Sequence, residues 1–203
     1  NVAVGSNTLA NQNFTSATDS YNTGVGYGAG QEITTGTNNT IIGGLAGDAV
    51  TTGGENTAVG KSSLSSNTTG ARNEAVGAAT LFTNTTGDDN TAVGRQALYN
   101  NTTADNNVAI GGNALFANTT GTYNTAVGRL ALDANTTASA ITAVGYGALG
   151  SNTTGASNVA VGADALDANT TGTNNTAVGN SALGAEVAGQ FSVAIGNNAL
   201  AAQ

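Results

Sequence analysis

The stretch NTAVGKSSLSSNTTGAR, Asn56 to Arg72, decides the fold, because the chain repeats it from one end to the other. Its fixed point is a Gly that follows a β-branched residue. That Gly recurs at Gly5, Gly26, Gly43, Gly60, Gly77, Gly94, Gly111, Gly128, Gly145, Gly162, Gly179 and Gly196. The first interval is 21 residues and each of the other ten is 17. Self-similarity at a fixed period is the mark of a stacked repeat architecture. With the Asn of NTAVG as position 1, the consensus is N-T-A-V-G-x-x-A-L-x-x-N-T-T-G-x-x. Position 4 is Val or Ile in all twelve units and position 8 is always Ala, Ser or Thr. Position 9 is Leu in ten units, and position 1 is Asn in ten, the exceptions being Ile141 and Ser192.

Positions 2 to 5 alternate, so Thr and Val point one way and Ala and Gly the other. The β-branched residue favours a strand. A second short extended piece is expected over the A-L pair. Asn and Gly supply the positive φ of the turns between the two pieces. Seventeen residues then make two short strands and two turns, one coil of a narrow parallel β-roll. Gly, Asn and Thr are poor helix formers, and no 3.6-residue stripe is present. The expectation is an all-β solenoid of twelve coils, about 4.8 Å apart and roughly 60 Å long, with identical side chains in columns. Its stability should be close to a sum of nearest-neighbour terms.

The chain reads as one solenoid segment, residues 1–203, with an irregular first coil (1–21), two variant coils (22–55) and regular coils (56–203). The first coil carries four extra residues within Gln12–Tyr21, expected as a loop at one edge. In the variant coils Leu is replaced by Gly30 and Gly47, while position 12 changes from Asn to Ile33 and Val50. Apolar volume moves from one side of the coil to the other, so these are compensated coils. The pattern begins at Asn1 and stops at Gln203 inside a repeat, as an excerpt of a longer fibre would.

Composition excludes several classes. His and Cys are absent, so thiol chemistry, disulfides and imidazole catalysis are not available to the chain. No catalytic constellation, cofactor site or metal site is found, and no enzyme activity is expected. Charged residues are 8%, against roughly 25% in an ordinary domain. The net charge is −8, with Lys61, Arg72, Arg95 and Arg129 as the only cations. Four scattered cations do not match a phosphate backbone, so neither nucleic acid nor a polyanionic membrane surface is an expected partner. No apolar run reaches the roughly 18 residues of a membrane span, so this segment is not expected to insert. Asp88–Asp89 reads as a solvated turn that could hold a cation. The N-T-T triplets are formal glycosylation sequons, but their period marks them as structural turns.

Three columns are candidate surfaces. Phe82, Tyr99 and Phe116 share position 10 of successive coils and should form an aromatic ladder, with Asp133 and Asp167 further along it. Stacked exposed rings suit a sugar or a partner chain, and packing between copies or of the rings on one another is the plainer use. Position 6 holds Tyr27, Lys61, Arg95, Arg129 and Tyr146, a mixed solvent-facing surface. The Thr pair of N-T-T runs through nine coils, from Thr34–Thr35 to Thr170–Thr171. An outward Thr column raises ice binding as an alternative, to be read by thermal hysteresis. Each thin coil buries little apolar surface alone. The columns of Ala and Gly offer flat close-approach faces for other copies, with three chains giving a closed symmetry.

The units NTAVGRQAL (Asn90–Leu98) and NTAVGRLAL (Asn124–Leu132), with NVAVG (Asn158–Gly162) and NVAIG (Asn107–Gly111), resemble the head repeats of trimeric autotransporter adhesins of the YadA type. They also resemble repeats in fibre proteins of phages and environmental bacteria. The 17-residue coil with N-T-T-G, as in Asn67–Gly70 and Asn169–Gly172, is longer than the usual adhesin coil and is closer to the fibre repeats. The resemblance covers nearly the whole chain. It implies a left-handed roll, a homotrimer and an extracellular, cell-surface or virion location. It also implies surface attachment, with a host surface glycan or protein as the candidate partner. A passive spacer, with binding carried by another domain, is the alternative within this reading.

Overall fold

Each N-T-A-V-G motif forms one three-residue strand in the computed structural model, which describes residues 1–14 and 19–201. The strands are β1 (Val2–Val4), β2 (Thr23–Val25), β3 (Thr40–Ile42), β4 (Thr57–Val59), β5 (Glu74–Val76) and β6 (Thr91–Val93). They continue as β7 (Val108–Ile110), β8 (Thr125–Val127), β9 (Thr142–Val144), β10 (Val159–Val161), β11 (Thr176–Val178) and β12 (Val193–Ile195). All twelve lie in one sheet in chain order, each parallel to the next. The register joins like to like: Thr91 to Val108, Ala92 to Ala109, Val93 to Ile110. The chain is therefore a parallel β-solenoid with 17 residues per coil.

The strand alternation decides the core. Ala at position 3 points inward and is fully buried, as at Ala58, Ala92, Ala109 and Ala126. Thr and Val on either side face outward. The core is completed by position 8 and by Leu at position 9, as at Ala97 and Leu98. The Ser63 and Thr80 hydroxyls, buried at position 8, donate to the carbonyls of Gly60 and Gly77 at 3.0 Å. A polar group can be buried there because a local acceptor meets it.

No second strand covers the A-L pair. Positions 6 to 11 instead run as successive turns, with Leu in the left-handed region: φ is 53° at Leu64, Leu98, Leu115 and Leu166. Positions 7 and 17 are left-handed as well, as at Gln96 (56°) and Asp89 (58°). None of these three positions holds Val, Ile or Thr in any coil, although those residues crowd the rest of the chain. A β-branched side chain tolerates positive φ worst. Placing Leu there costs about 1–2 kcal/mol, and burying it returns about 1.5–3 kcal/mol, so burial outweighs the strain. The variant coils avoid the strain. Gly30 and Gly47 keep the left-handed backbone (59° and 48°). Buried Ile33 and Val50 supply the missing volume. A Cβ on Gly30 would lie 2.8 Å from Ile33 Cδ1, so Ile33 occupies the space that a Leu would need.

Two columns of buried Asn run along the stack. At position 1, each side-chain oxygen accepts the backbone N–H of its counterpart one coil on, as from Asn107 to Asn90 and Asn124 to Asn107, both 3.0 Å. Its amide donates to the position-15 carbonyl of its own unit, as Asn107 does to Gly121 at 2.9 Å. At position 12, amide donates to amide through seven coils, from Asn84 to Asn67 (2.9 Å) up to Asn169 to Asn152 (2.9 Å). The column stops where Glu186 replaces Asn, and there Asn169 Oδ1 is buried without a partner among the described residues.

Gly at position 5 has φ between 123° and 139° in every coil. Its missing Cβ would strike the carbonyl of the next Gly in the column, as for Gly111 against Gly128 at 2.6 Å. This column sets how closely the coils approach at the strand end. The first coil keeps register through Asn13, whose N–H bonds Thr34 at 3.0 Å, and regains it at Ser20, which accepts from Asn38 at 2.7 Å. The four extra residues thus fall within Phe14–Asp19. Of the residues expected to form the edge loop, Thr15–Thr18 lie outside the described residues.

Candidate interaction surfaces

The outer face of the sheet carries positions 2 and 4. Position 4 is an unbroken row of Val and Ile, and even within the stack these side chains stay open: Val76 38%, Val93 36%, Ile110 40% exposed. Position 2 beside it is Thr or Val except at Glu74. The Ala columns expected to face other copies point into the coil's own core, and the Gly column packs on itself. The unpartnered apolar face is the β-branched one.

Phe82, Tyr99 and Phe116 do stack, with centroids 5.1 and 5.3 Å apart and planes 7° and 18° from parallel. Their faces are turned along the rod toward each other, and their edges face solvent. A sugar that stacks needs an open ring face, and within this column only the two end rings have a face not covered by another ring. Ser65 precedes Phe82 in the column and donates to Asp48 of the coil before at 2.6 Å. Asp133 follows Phe116, and its Oδ1 lies 3.5 Å from the place a Cβ would occupy on Gly150. Burial pushes the carboxyls of Asp133 and Asp167 up, with the charge of Asp164 adding to the shift at Asp167 and backbone N–H donors opposing it at both.

The raised carboxyl of Asp133 gives a signed pH prediction. As pH rises through the ordinary carboxylate range, the unfolded chain releases this proton first, so the folded state loses stability across that window. Asp133→Asn does not titrate. It is expected to melt higher than the parent at neutral pH, with the difference closing below about pH 3. Melting curves of both proteins across pH check this, and a difference independent of pH would contradict it.

The turn acids are already paired. Arg72 Nε donates to Asp89 Oδ1 at 2.6 Å and its Nη2 to Asp89 Oδ2 at 2.8 Å, with Asp88 3.5 Å away. The guanidinium holds the Asp89 carboxyl below its usual range. Asp88 accepts the Ala71 N–H and Asp105 accepts the Asp88 N–H, both at 2.7 Å. Among the described residues no group of three His, Cys, Asp or Glu could hold a metal. A shallow recess of about 200 Å³ beside β1, lined by Asn1, Val2, Tyr21, Asn22 and Thr23, contains no carboxylate side chain, His or Cys.

The Asn of the regular N-T-T triplets is fully buried, as at Asn67, Asn118 and Asn152, so the folded chain offers no acceptor amide there. Thr at position 13 donates its hydroxyl to the next coil, as Thr102 does to Thr119 O at 3.0 Å. Only the second Thr, as at Thr103 and Thr120, forms an exposed column. At position 6, Lys61, Arg95 and Arg129 are exposed, and none forms an ion pair among the described residues. The Arg129 guanidinium lies over the Tyr146 ring, 5.9 Å from its centroid.

Comparison with protein-family models, with curated proteins and with solved structures found no match to this chain.

Proposed function

We propose that the chain is a non-enzymatic rod segment of an extracellular adhesive or receptor-binding fibre. In it, copies of the solenoid pack side by side through the Val/Ile row. The observation that carries this reading is the row itself: twelve of twelve strands present a β-branched apolar side chain outward at position 4. Covering a half-open Val or Ile contributes about 1 kcal/mol, and the twelve side chains of the row together are comparable to the roughly 4–15 kcal/mol that association costs. The resemblance to adhesin heads supplies the number three and the left-handed course.

Mass measurement and solution scattering on the 203-residue chain test the reading. An elongated trimer is expected, and a compact globular monomer would defeat it. Replacing Val93 and Val127 together by Asp places charges inside the proposed contact and should yield monomers that keep the β circular-dichroism signal. An unchanged trimer would put the contact elsewhere. Whether the segment binds or only spaces is separable: Phe82, Tyr99 and Phe116 replaced by Ser should weaken cell or glycan binding if the ladder is the contact. Unchanged binding rules out the ladder as the contact, and no binding by the parent segment favours the spacer.

A further inference from the structure

We infer that the position-6 column is a docking line for an extended acidic polysaccharide carrying about one carboxylate or sulfate per disaccharide. This rests on reading the chain as a fibre that meets a glycan-coated surface, and it names the glycan.

The argument begins with charge placement. The chain has four cations against 12 carboxylates. One cation, Arg72, is held by Asp89. The other three, Lys61, Arg95 and Arg129, all fall in one column, where they are exposed and have no ion-pair partner among the described residues. In so acidic a chain, scattered cations would be expected to meet carboxylates. Asp164, at position 7 in the coil after Tyr146, is the carboxylate on a position next to the column, and Glu74 lies at position 2 of the coil between Lys61 and Arg95. Neither pairs with the row.

The spacing then selects the partner. The cations stand in alternate coils, and Ala78 and Gly112 occupy the column between them. Two coils span about 9.6 Å. A disaccharide of an extended pyranose chain has close to this length, so one anionic group per disaccharide meets one cation per two coils. The small residues between leave room for the uncharged sugar. An extended peptide repeats its side chains on one face at about 6.6 Å and falls out of step within two charges. Duplex DNA places a phosphate every 3.4 Å along each strand, so two of three would go unmatched. Beyond Arg129 the column continues with Tyr146, which is half-exposed and already covered on one face by the guanidinium. An aromatic ring there suits a sugar ring. Each exposed contact is weak and screened by salt, so affinity comes from the number of steps in register.

The test uses the 203-residue chain and a fluorescently labelled polyuronate in which a uronate alternates with a neutral sugar, giving one carboxylate per disaccharide, at low ionic strength, with the neutral polymer of the same linkage as control. Anisotropy should show binding to the polyuronate alone, lost as salt is raised. Lys61→Ser, Arg95→Ser and Arg129→Ser together should weaken it about tenfold or more. Arg95→Ser alone should weaken it and Arg72→Ser should not, although each removes one positive charge. The register is tested by Ala78→Arg combined with Arg95→Ser, which keeps the net charge but breaks the two-coil step. Lys61 and Arg129 stay in step four coils apart, so this variant should bind like Arg95→Ser alone and not like the parent. Scattering on each variant checks that the rod is intact, so failure of the fibre reading is seen separately from failure of this one. Unchanged binding by the triple or register variant overturns the proposal, as does equal binding of the neutral polymer. Tighter binding of single-stranded DNA or polyphosphate than of polyuronate overturns it too.

Discussion

Gly111→Ala is expected to disrupt the middle of the stack, lowering stability by more than about 3 kcal/mol. Two effects add. The backbone at Gly111 has φ 132°, a region essentially closed to L side chains. A Cβ there would also lie 2.6 Å from both the carbonyl carbon and oxygen of Gly128. That carbonyl cannot withdraw, because the Gly128 N–H is bound to Ile110 at 2.8 Å and Gly128 is itself stacked on Gly145. The neighbouring Gly112→Ala is the control. Gly112 is not at positive φ, and a Cβ on it meets only Arg95 O at 4.0 Å. It should change stability by less than about 0.5 kcal/mol. Thermal and denaturant unfolding of the two variants compare them directly, and similar losses would refute the close-approach argument.

Leu115→Ala should cost about 2–5 kcal/mol, since Leu115 is fully buried and its coil neighbours are held by ladder bonds that resist collapse. The comparison with Leu115→Gly is more telling. In a regular helix or strand, Gly is worse than Ala by about 0.5–1 kcal/mol. At φ 53° the order should reverse, and Gly should unfold no more easily than Ala. Restoring volume in the manner of the variant coils, with Asn118→Val added to Leu115→Gly, is expected to fail here. It removes the donor that Asn101 Oδ1 receives at 3.0 Å and the acceptor that Asn135 uses at 3.0 Å. Unsatisfied buried amides cost about 1–3 kcal/mol each. In the native chain Ile33 and Val50 are consecutive and the amide column starts only at Asn67, so no such break arises.

The period, the parallel stacking, the columns and the compensation of Gly30 by Ile33 were all legible in the sequence, because each depends only on like residues meeting one coil apart. The A-L turn was not. Leu has a high enough frequency in extended segments to pass for one, and its left-handed conformation leaves only an indirect trace. That trace was present: positions 7, 9 and 17 exclude β-branched residues in a chain otherwise full of them. The inward direction of Ala and outward direction of Val were also ambiguous, since alternation fixes opposite faces without saying which is the core. Here the closed coil is so thin that Ala at position 3 fits inside with Leu98 and its counterparts, and Val is left out. For the candidate surfaces, the stacking of Phe82, Tyr99 and Phe116 followed from register, whereas the ring orientation depended on side-chain torsions. The position-6 cations could be placed in one column from sequence, but only the structure shows that Lys61, Arg95 and Arg129 lack carboxylate partners among the described residues.

The coil geometry also has a mechanical side. Seventeen residues are folded into a rise of about 4.8 Å, yet drawn straight they reach about 56–61 Å. A pull along the axis meets weak links in series, one coil-to-coil contact after another, because every coil touches only its neighbours. Coils should therefore peel from an end one at a time, each releasing about 50 Å of slack before the next is loaded. Such a tether yields in equal steps and can lengthen about tenfold before the chain is taut.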